Sequence, residues 1–134
     1  MKLNKSAAIA ILLAPFFLTA CGSESAESML TSAKSYLAKN DQKAAVIQIK
    51  NALQVNPDLP EARYLLGVSL LDSGNANSAE LELRKALALK YSTDSVIPKL
   101  ANSMLAQGQA KKVVDEFSGV NLTAPVATAE LQTT

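Results

Sequence analysis

Apolar and polar positions along residues 33–120 recur with a period of 34. Leu37, Leu71 and Leu105 stand at that offset, and so do the small residues Ala33, Gly67 and Ala101. Further columns are Tyr36, Leu70 and Met104; Ala45, Ala79 and Val113; Ile49, Leu83 and Phe117; and Ala52, Ala86 and Val120. Inside a unit the spacing is helical. Ala79, Leu83, Ala86 and Leu87 fall at i, i+4, i+7 and i+8, one face of a 3.6-residue period. Leu66, Leu70 and Leu71 give a partner helix a similar stripe. Breakers separate the stripes: Asn40-Asp41, Gly74-Asn75 and Gly108 within units, and Asn56-Pro57 between the first two.

The spacing therefore predicts an all-α chain of antiparallel helix pairs. Asp58 with Glu61 and Asn77 with Glu80 read as capping boxes, in which a side-chain oxygen takes up an orphan N–H. Pro60 falls in a first turn, where its missing donor matters little. Ser95 as N-cap would place Pro98 in the same way. A mid-helix glycine costs about 1 kcal/mol against alanine, so Gly67 marks a place where two helices must approach closely.

The pattern Leu66-Gly67-(x2)-Leu70, Ala79-(x3)-Leu83-(x2)-Ala86, with Pro57 closing the first unit, resembles the tetratricopeptide repeat (TPR). The resemblance implies a TPR-type α-solenoid of about three repeats, over residues 26–59, 60–93 and 94–120, within an array spanning 28–120. Val113 and Val120 replace alanines in the third unit and Ser118-Gly119 interrupts its second helix, so that unit is expected to be the weakest. Residues 121–134 read as a polar tail or a truncated further repeat.

The first twenty residues follow a different rule. Lys2 and Lys5 precede a 12-residue apolar run over 7–18, and small residues follow. This is the layout of a secretory signal, with 1–20 as the leader. Spanning a bilayer takes about 20 apolar residues, and Pro15 breaks a run already too short. Leu18-Thr19-Ala20-Cys21 resembles the lipobox of bacterial lipoproteins, which implies that Cys21 is acylated and becomes the mature N-terminus. Gly22, where aspartate would retain a lipoprotein in the inner membrane, implies an outer-membrane anchor with the array in the periplasm. Residues 21–27 serve as the lipidated cysteine and its tether.

Composition removes most chemistry. The chain has 134 residues, 13 Lys+Arg against 12 Asp+Glu, no His, no Trp and one Cys. Without the leader lysines, 11 basic groups face 12 acidic ones, a balance of −1. No nucleic-acid footprint results. Histidine-dependent nucleophiles and zinc fingers are excluded, and one cysteine forms no internal disulfide. Glycines are isolated, so no phosphate loop is present. The acidic pairs Glu80/Glu82 and Asp115/Glu116 read as solvated helix faces, as do Arg84-Lys85 and Lys111-Lys112. No catalytic residue, metal site or cofactor is expected, and the chain reads as a binding protein.

Residues 33–120 bear a closer resemblance. The stretches AKSYLAKNDQKAAVIQIKNALQVNPD, EARYLLGVSLLDSGNANSAELELRKAL and LAQGQAKKVVDEF are similar to the N-terminal part of the PEP-CTERM-system TPR-repeat lipoproteins. That resemblance implies a role in exosortase-linked protein sorting or exopolysaccharide export, and an array longer than three repeats. In TPR arrays the first helices line a concave groove, which implies partner-binding candidates Lys34, Leu37, Glu61, Tyr64, Val68, Asp72 and Asn102. The carboxylate-clamp positions are not matched, with Leu30 and Pro98 in two of them, so capture of a chaperone's C-terminus is not expected. Alternatives are an outer-membrane assembly or pilus-biogenesis lipoprotein, and the non-catalytic front end of a truncated envelope enzyme.

Overall fold

The structure, a computed structural model, describes residues 24–120. The leader, Cys21 and the 121–134 tail lie outside the described residues. Those described form α1 (Ala26–Ala38), α2 (Gln42–Val55), α3 (Pro60–Asp72), α4 (Ala76–Ala88), α5 (Thr93–Ala106) and α6 (Ala110–Phe117), with no strand among them. None of these helices is long and apolar enough to cross a membrane. Helix starts follow the sequence repeat: α1 and α3 begin one period apart, and α2, α4 and α6 do likewise. Helix α1 starts inside the stretch read as tether, because Ser25 accepts from the Ser28 N–H at 3.1 Å and so caps it.

One turn is used again and again. Asn40, Gly74 and Gly108, which share one column of the repeat, adopt left-handed φ of 57°, 80° and 75°. The N–H of the following residue then returns to the carbonyl five positions back: Asp41 to Tyr36 at 2.9 Å, Asn75 to Leu70 at 2.9 Å, Gln109 to Met104 at 3.0 Å. This closes each first helix in a Schellman motif and turns the chain straight into the next helix. Lys90, φ 62°, ends α4 in the same manner, with the Tyr91 N–H on the Ala86 carbonyl at 2.9 Å.

That turn relocates the caps expected from sequence. The residue after Gly74 must cap α4 at once, so the cap is Asn75, accepting from the Ser78 N–H at 3.3 Å, and not Asn77. Helix α3 has Leu59 as N-cap without a side-chain bond, and Pro60 leads it. Asp58 instead donates its N–H to the Asn56 side chain at 3.1 Å within the preceding turn. Helix α5 is capped by Ser92, three residues ahead of Ser95. Pro98 accordingly sits inside α5, buried, and its ring supplies no N–H to the carbonyl four residues earlier.

Packing follows the small-residue columns. Helix α1 lies on α2, α3 on α4 and α5 on α6, with α2 against α3 and α4 against α5 joining the pairs. Ala33, Ala45, Ala52, Ala79, Ala86 and Ala101 are wholly buried, and Gly67 is buried with them. Large side chains fill the layers between. One core gathers Leu30, Ile49, Leu53 and Leu66; the other gathers Leu83, Val96, Leu100, Met104 and Phe117. Phe117 is the last residue of α6, the shortest of these helices, and Ser118-Gly119 ends it as the sequence indicates. Among the described residues no buried side-chain nitrogen or oxygen lacks a partner.

Candidate functional site on the first helices

The first helices α1, α3 and α5 bring part of the expected set together. Lys34 Nζ, on α1, lies 3.1 Å from Glu61 Oε1 on α3. One turn further along α3, Tyr64 stacks on Tyr91 with ring centroids 4.9 Å apart and planes inclined by 26°. Tyr91 comes from the turn between α4 and α5, so the stack bridges the second and third helix pairs. Burial pushes the Tyr91 hydroxyl up from its ordinary value, and the nearby Glu61 carboxylate and Tyr64 hydroxyl add to the shift through charge repulsion. Lys34, Glu61, Tyr64 and Tyr91 thus form a mixed cluster of cation, carboxylate and paired rings.

Val68 and Leu37 are half-buried on α3 and α1, Asn102 is half-buried on α5, and Asp72 is exposed at the end of α3. No hydrogen bond among the described residues ties Asp72 or Asn102 to the cluster. Tyr91 has no place in the sequence-derived set. Its only signal is positional, because it stands one period after Pro57, where the first unit closes.

The charges read as solvated faces are in large part structural. Glu82 is buried, not solvated: its carboxylate is 2.7 Å from Arg63 of α3 and 2.8 Å from Lys85. Arg63 Nε also donates to the Pro57 carbonyl at 3.0 Å. Burial alone would raise the Glu82 carboxyl, but its bonds to Lys85 and Arg63 outweigh that and hold it low. Arg84 forks onto Glu116 of α6 at 2.7 and 3.0 Å and reaches Glu80 at 2.9 Å, so α4 grips the terminal helix. Gln107 of the α5–α6 turn donates to Glu80 at 2.8 Å. Burial would raise the Glu80 carboxyl too, but Arg84 and Gln107 together bring it below its ordinary value. Glu116 is lowered chiefly by Arg84. An open hollow lined by Pro57, Asp58, Arg63, Lys85, Ala88 and Leu89 lies beside the Arg63 pair. Its two cations are already committed to Glu82.

No family model matches the chain, and no curated protein matches it. Solved structures do. The first TPR domain of Spaghetti (RPAP3), bound to the HSP90 peptide SRMEEVD, superposes with a TM-score of 0.65 at 15% identity, over 83% of this chain and 93% of that one. The Sgt2 TPR domain from Aspergillus fumigatus gives 0.65 at 16% identity, over 81% and 75%. An O-GlcNAc transferase mutant from Thermobaculum terrenum gives 0.62 at 25% identity over 81% of this chain, but the chain spans only 19% of the transferase. The fold is that of TPR domains, and the protein is an α-solenoid of tetratricopeptide type.

Proposed function

We propose that the protein is a lipid-anchored TPR scaffold that holds protein partners at the periplasmic face of the outer membrane, without catalysis of its own. One observation carries the binding part. Lys34 of α1, Glu61 and Tyr64 of α3 and Tyr91 of the α4–α5 turn converge in a fold that, in the RPAP3 domain, is solved with a peptide bound. Aromatic rings beside opposite charges are the residue types enriched where proteins meet. Acylation at Cys21 supplies the anchor in this reading. The likeness to PEP-CTERM-system lipoproteins supports service in exosortase-linked sorting or exopolysaccharide export. Leu30 and Pro98 at clamp positions speak against an acidic C-terminal peptide of the SRMEEVD kind as the partner.

Site-specific photocrosslinking in intact cells tests the binding part. Crosslinkers at Lys34, Val68 and Asp72 are expected to capture the same partner, and crosslinkers at Lys43 and Leu81 on the second helices are not. Capture from both faces alike, or from neither, would remove the groove. The anchor is tested by Cys21→Ser, which is expected to release the chain from membrane fractions.

A second reading has one observation behind it: the match to a fifth of a transferase chain. In that reading the array is the non-catalytic front end of a larger enzyme. A continuing reading frame with a catalytic domain downstream would favour it over the scaffold.

A further inference from the structure

The second helices carry a surface that the groove does not use. Among the described residues, the large apolar side chains most exposed to water are Ile47 and Val55 on α2, Leu81 on α4 and Val114 on α6, at 58%, 57%, 55% and 64%. All four belong to second helices. Ile47 and Leu81 occupy the same column of the repeat, one period apart. A scattered exposed leucine needs no explanation, but confinement of all of these to one set of helices does.

Unpaired cations stand on the same helices, besides Lys39 and Lys90, which are exposed in turns. Lys43, Lys50, Lys111 and Lys112 are exposed on α2 and α6 and enter no ion pair among the described residues. Lys43, Ile47 and Lys50 follow one another at i, i+4 and i+7, a single outward stripe in which two cations flank an apolar side chain. The acids of these helices are mostly engaged by cations: Glu80 and Glu116 share Arg84, and Glu82 pairs with Lys85 and with Arg63 of α3. Asp115 is the exception, exposed on α6. A chain nearly neutral overall thus presents a face that is cationic and apolar together.

In the lipid-anchor reading, the attachment point lies close to one end of that face. Helix α1 begins at Ala26, and the links from Cys21 to Ala26 stretch to at most roughly 18 Å. Because α1 and α2 pack as an antiparallel hairpin, Val55 at the end of α2 lies at the same end of the pair as that attachment. We propose that the array lies with its second helices against an anionic phospholipid surface. Ile47, Val55 and Leu81 enter the headgroup layer, and the lysines pair with lipid phosphates, their stems lying along the apolar boundary. The first-helix groove then opens away from the membrane, toward its partners. This docking rests on the lipid-anchor reading for its geometry, though the surface itself needs no acyl chain.

The test uses the protein purified from envelopes and reconstituted in phosphatidylcholine vesicles with and without phosphatidylglycerol. An environment-sensitive dye is placed at Ile47→Cys or Leu81→Cys, with Asp72→Cys on the groove side as reference. Quenching by nitroxide-bearing lipid is expected to be several-fold stronger at 47 and 81 than at 72, only when phosphatidylglycerol is present. Lys43→Glu with Lys50→Glu is expected to abolish that difference, each lysine near such a surface being worth about five-fold in partitioning; circular dichroism checks that the variant still folds. Equal quenching at 47, 81 and 72, or a difference that survives the lysine reversal, overturns the proposal. Failure of the anchor shows separately, as protein left in the supernatant of phosphatidylcholine vesicles. In that case sedimentation with phosphatidylglycerol vesicles, lost on lysine reversal, still supports the face, and no sedimentation overturns it.

Discussion

Gly67 of α3 faces Leu83 of α4 so closely that a methyl group added to the glycine would stand 2.7 Å from Leu83 Cγ and 3.2 Å from its backbone nitrogen. Two helix backbones meet there, and the pair explains why a residue poor for helices sits in mid-helix. Alanine at 67 would gain about 1 kcal/mol of helix propensity. Overpacking of a filled core opposes it by about 1–3 kcal/mol, and the backbone nitrogen cannot rotate away. Gly67→Ala is therefore expected to lower stability by about 1 kcal/mol net, read as a lower urea midpoint with unchanged slope. A variant as stable as the parent, or more so, would mean that the helices can part without loss.

The left-handed turn residues give a pair of predictions with opposite signs. Lys90 holds φ 62° although a side chain there is unfavourable. Lys90→Gly is expected to stabilise the fold by up to about 1 kcal/mol, because left-handed backbone costs a non-glycine residue roughly 1–2 kcal/mol and glycine's greater freedom in the unfolded chain offsets part of that. Gly74 and Gly108 hold φ of 80° and 75° with open space around them. Gly74→Ala and Gly108→Ala are thus expected to destabilise by about 1 kcal/mol through strain alone. Thermal melts of the three variants check the signs.

Acid should loosen the array through ion pairs within its second unit and between that unit and α6. Glu80, Glu82 and Glu116 have carboxyls held below their ordinary value of 4.5. A carboxyl lowered by folding stabilises the native state above its unfolded value, and that contribution disappears as pH falls through the lower, folded value. The urea midpoint is expected to stay level from neutral pH down to about 5 and to fall below about 4.5. Glu82→Gln removes the most buried of these groups, so it should lower the neutral-pH midpoint and flatten the acid limb. Glu116→Gln should do less to global stability, its side chain being 38% exposed. It should instead speed amide exchange in α6, the helix that Arg84 grips.

What could be foreseen divides along the range of the interactions. The columns Ala33/Gly67/Ala101 and Ala52/Ala86 announced close contacts, because size selection at fixed spacing leaves a trace in the chain itself. Gly74 and Gly108 announced their turns for the same reason. The role of Glu82 was hidden, since an acid beside a polar helix face looks solvated until Arg63, 19 residues earlier, is known to lie across from it. The cap of α4 differs from the expected one because Asn75 and Asn77 are equally good cap residues, and only the turn at Gly74 selects the first. Pro98 reads as a helix starter by analogy with Pro60, but Ser92 opens α5 earlier. Tyr91 escapes the sequence reading because it stands in a turn, 27 residues after Tyr64, and only the fold brings the two rings together.

The Lys34–Glu61 pair separates fold from recognition. Both side chains are well exposed, at 49% and 37%, and exposed pairs of this kind contribute between zero and about 1 kcal/mol. Neither group shares the core that holds the helices together. Lys34→Ala and Glu61→Gln are therefore expected to leave the urea midpoint within about 0.5 kcal/mol of the parent. Tyr64→Ala differs, because Tyr64 packs against the core around Leu100 and stacks on Tyr91, so it should cost about 1–3 kcal/mol in lost burial and ring contact. If the first helices bind partners, the two charge variants should reduce partner crosslinking at Val68 several-fold while the fold stays intact. Unchanged crosslinking in both would restrict the ion pair to bridging α1 and α3, and would shift the recognition role to Tyr64 and Val68.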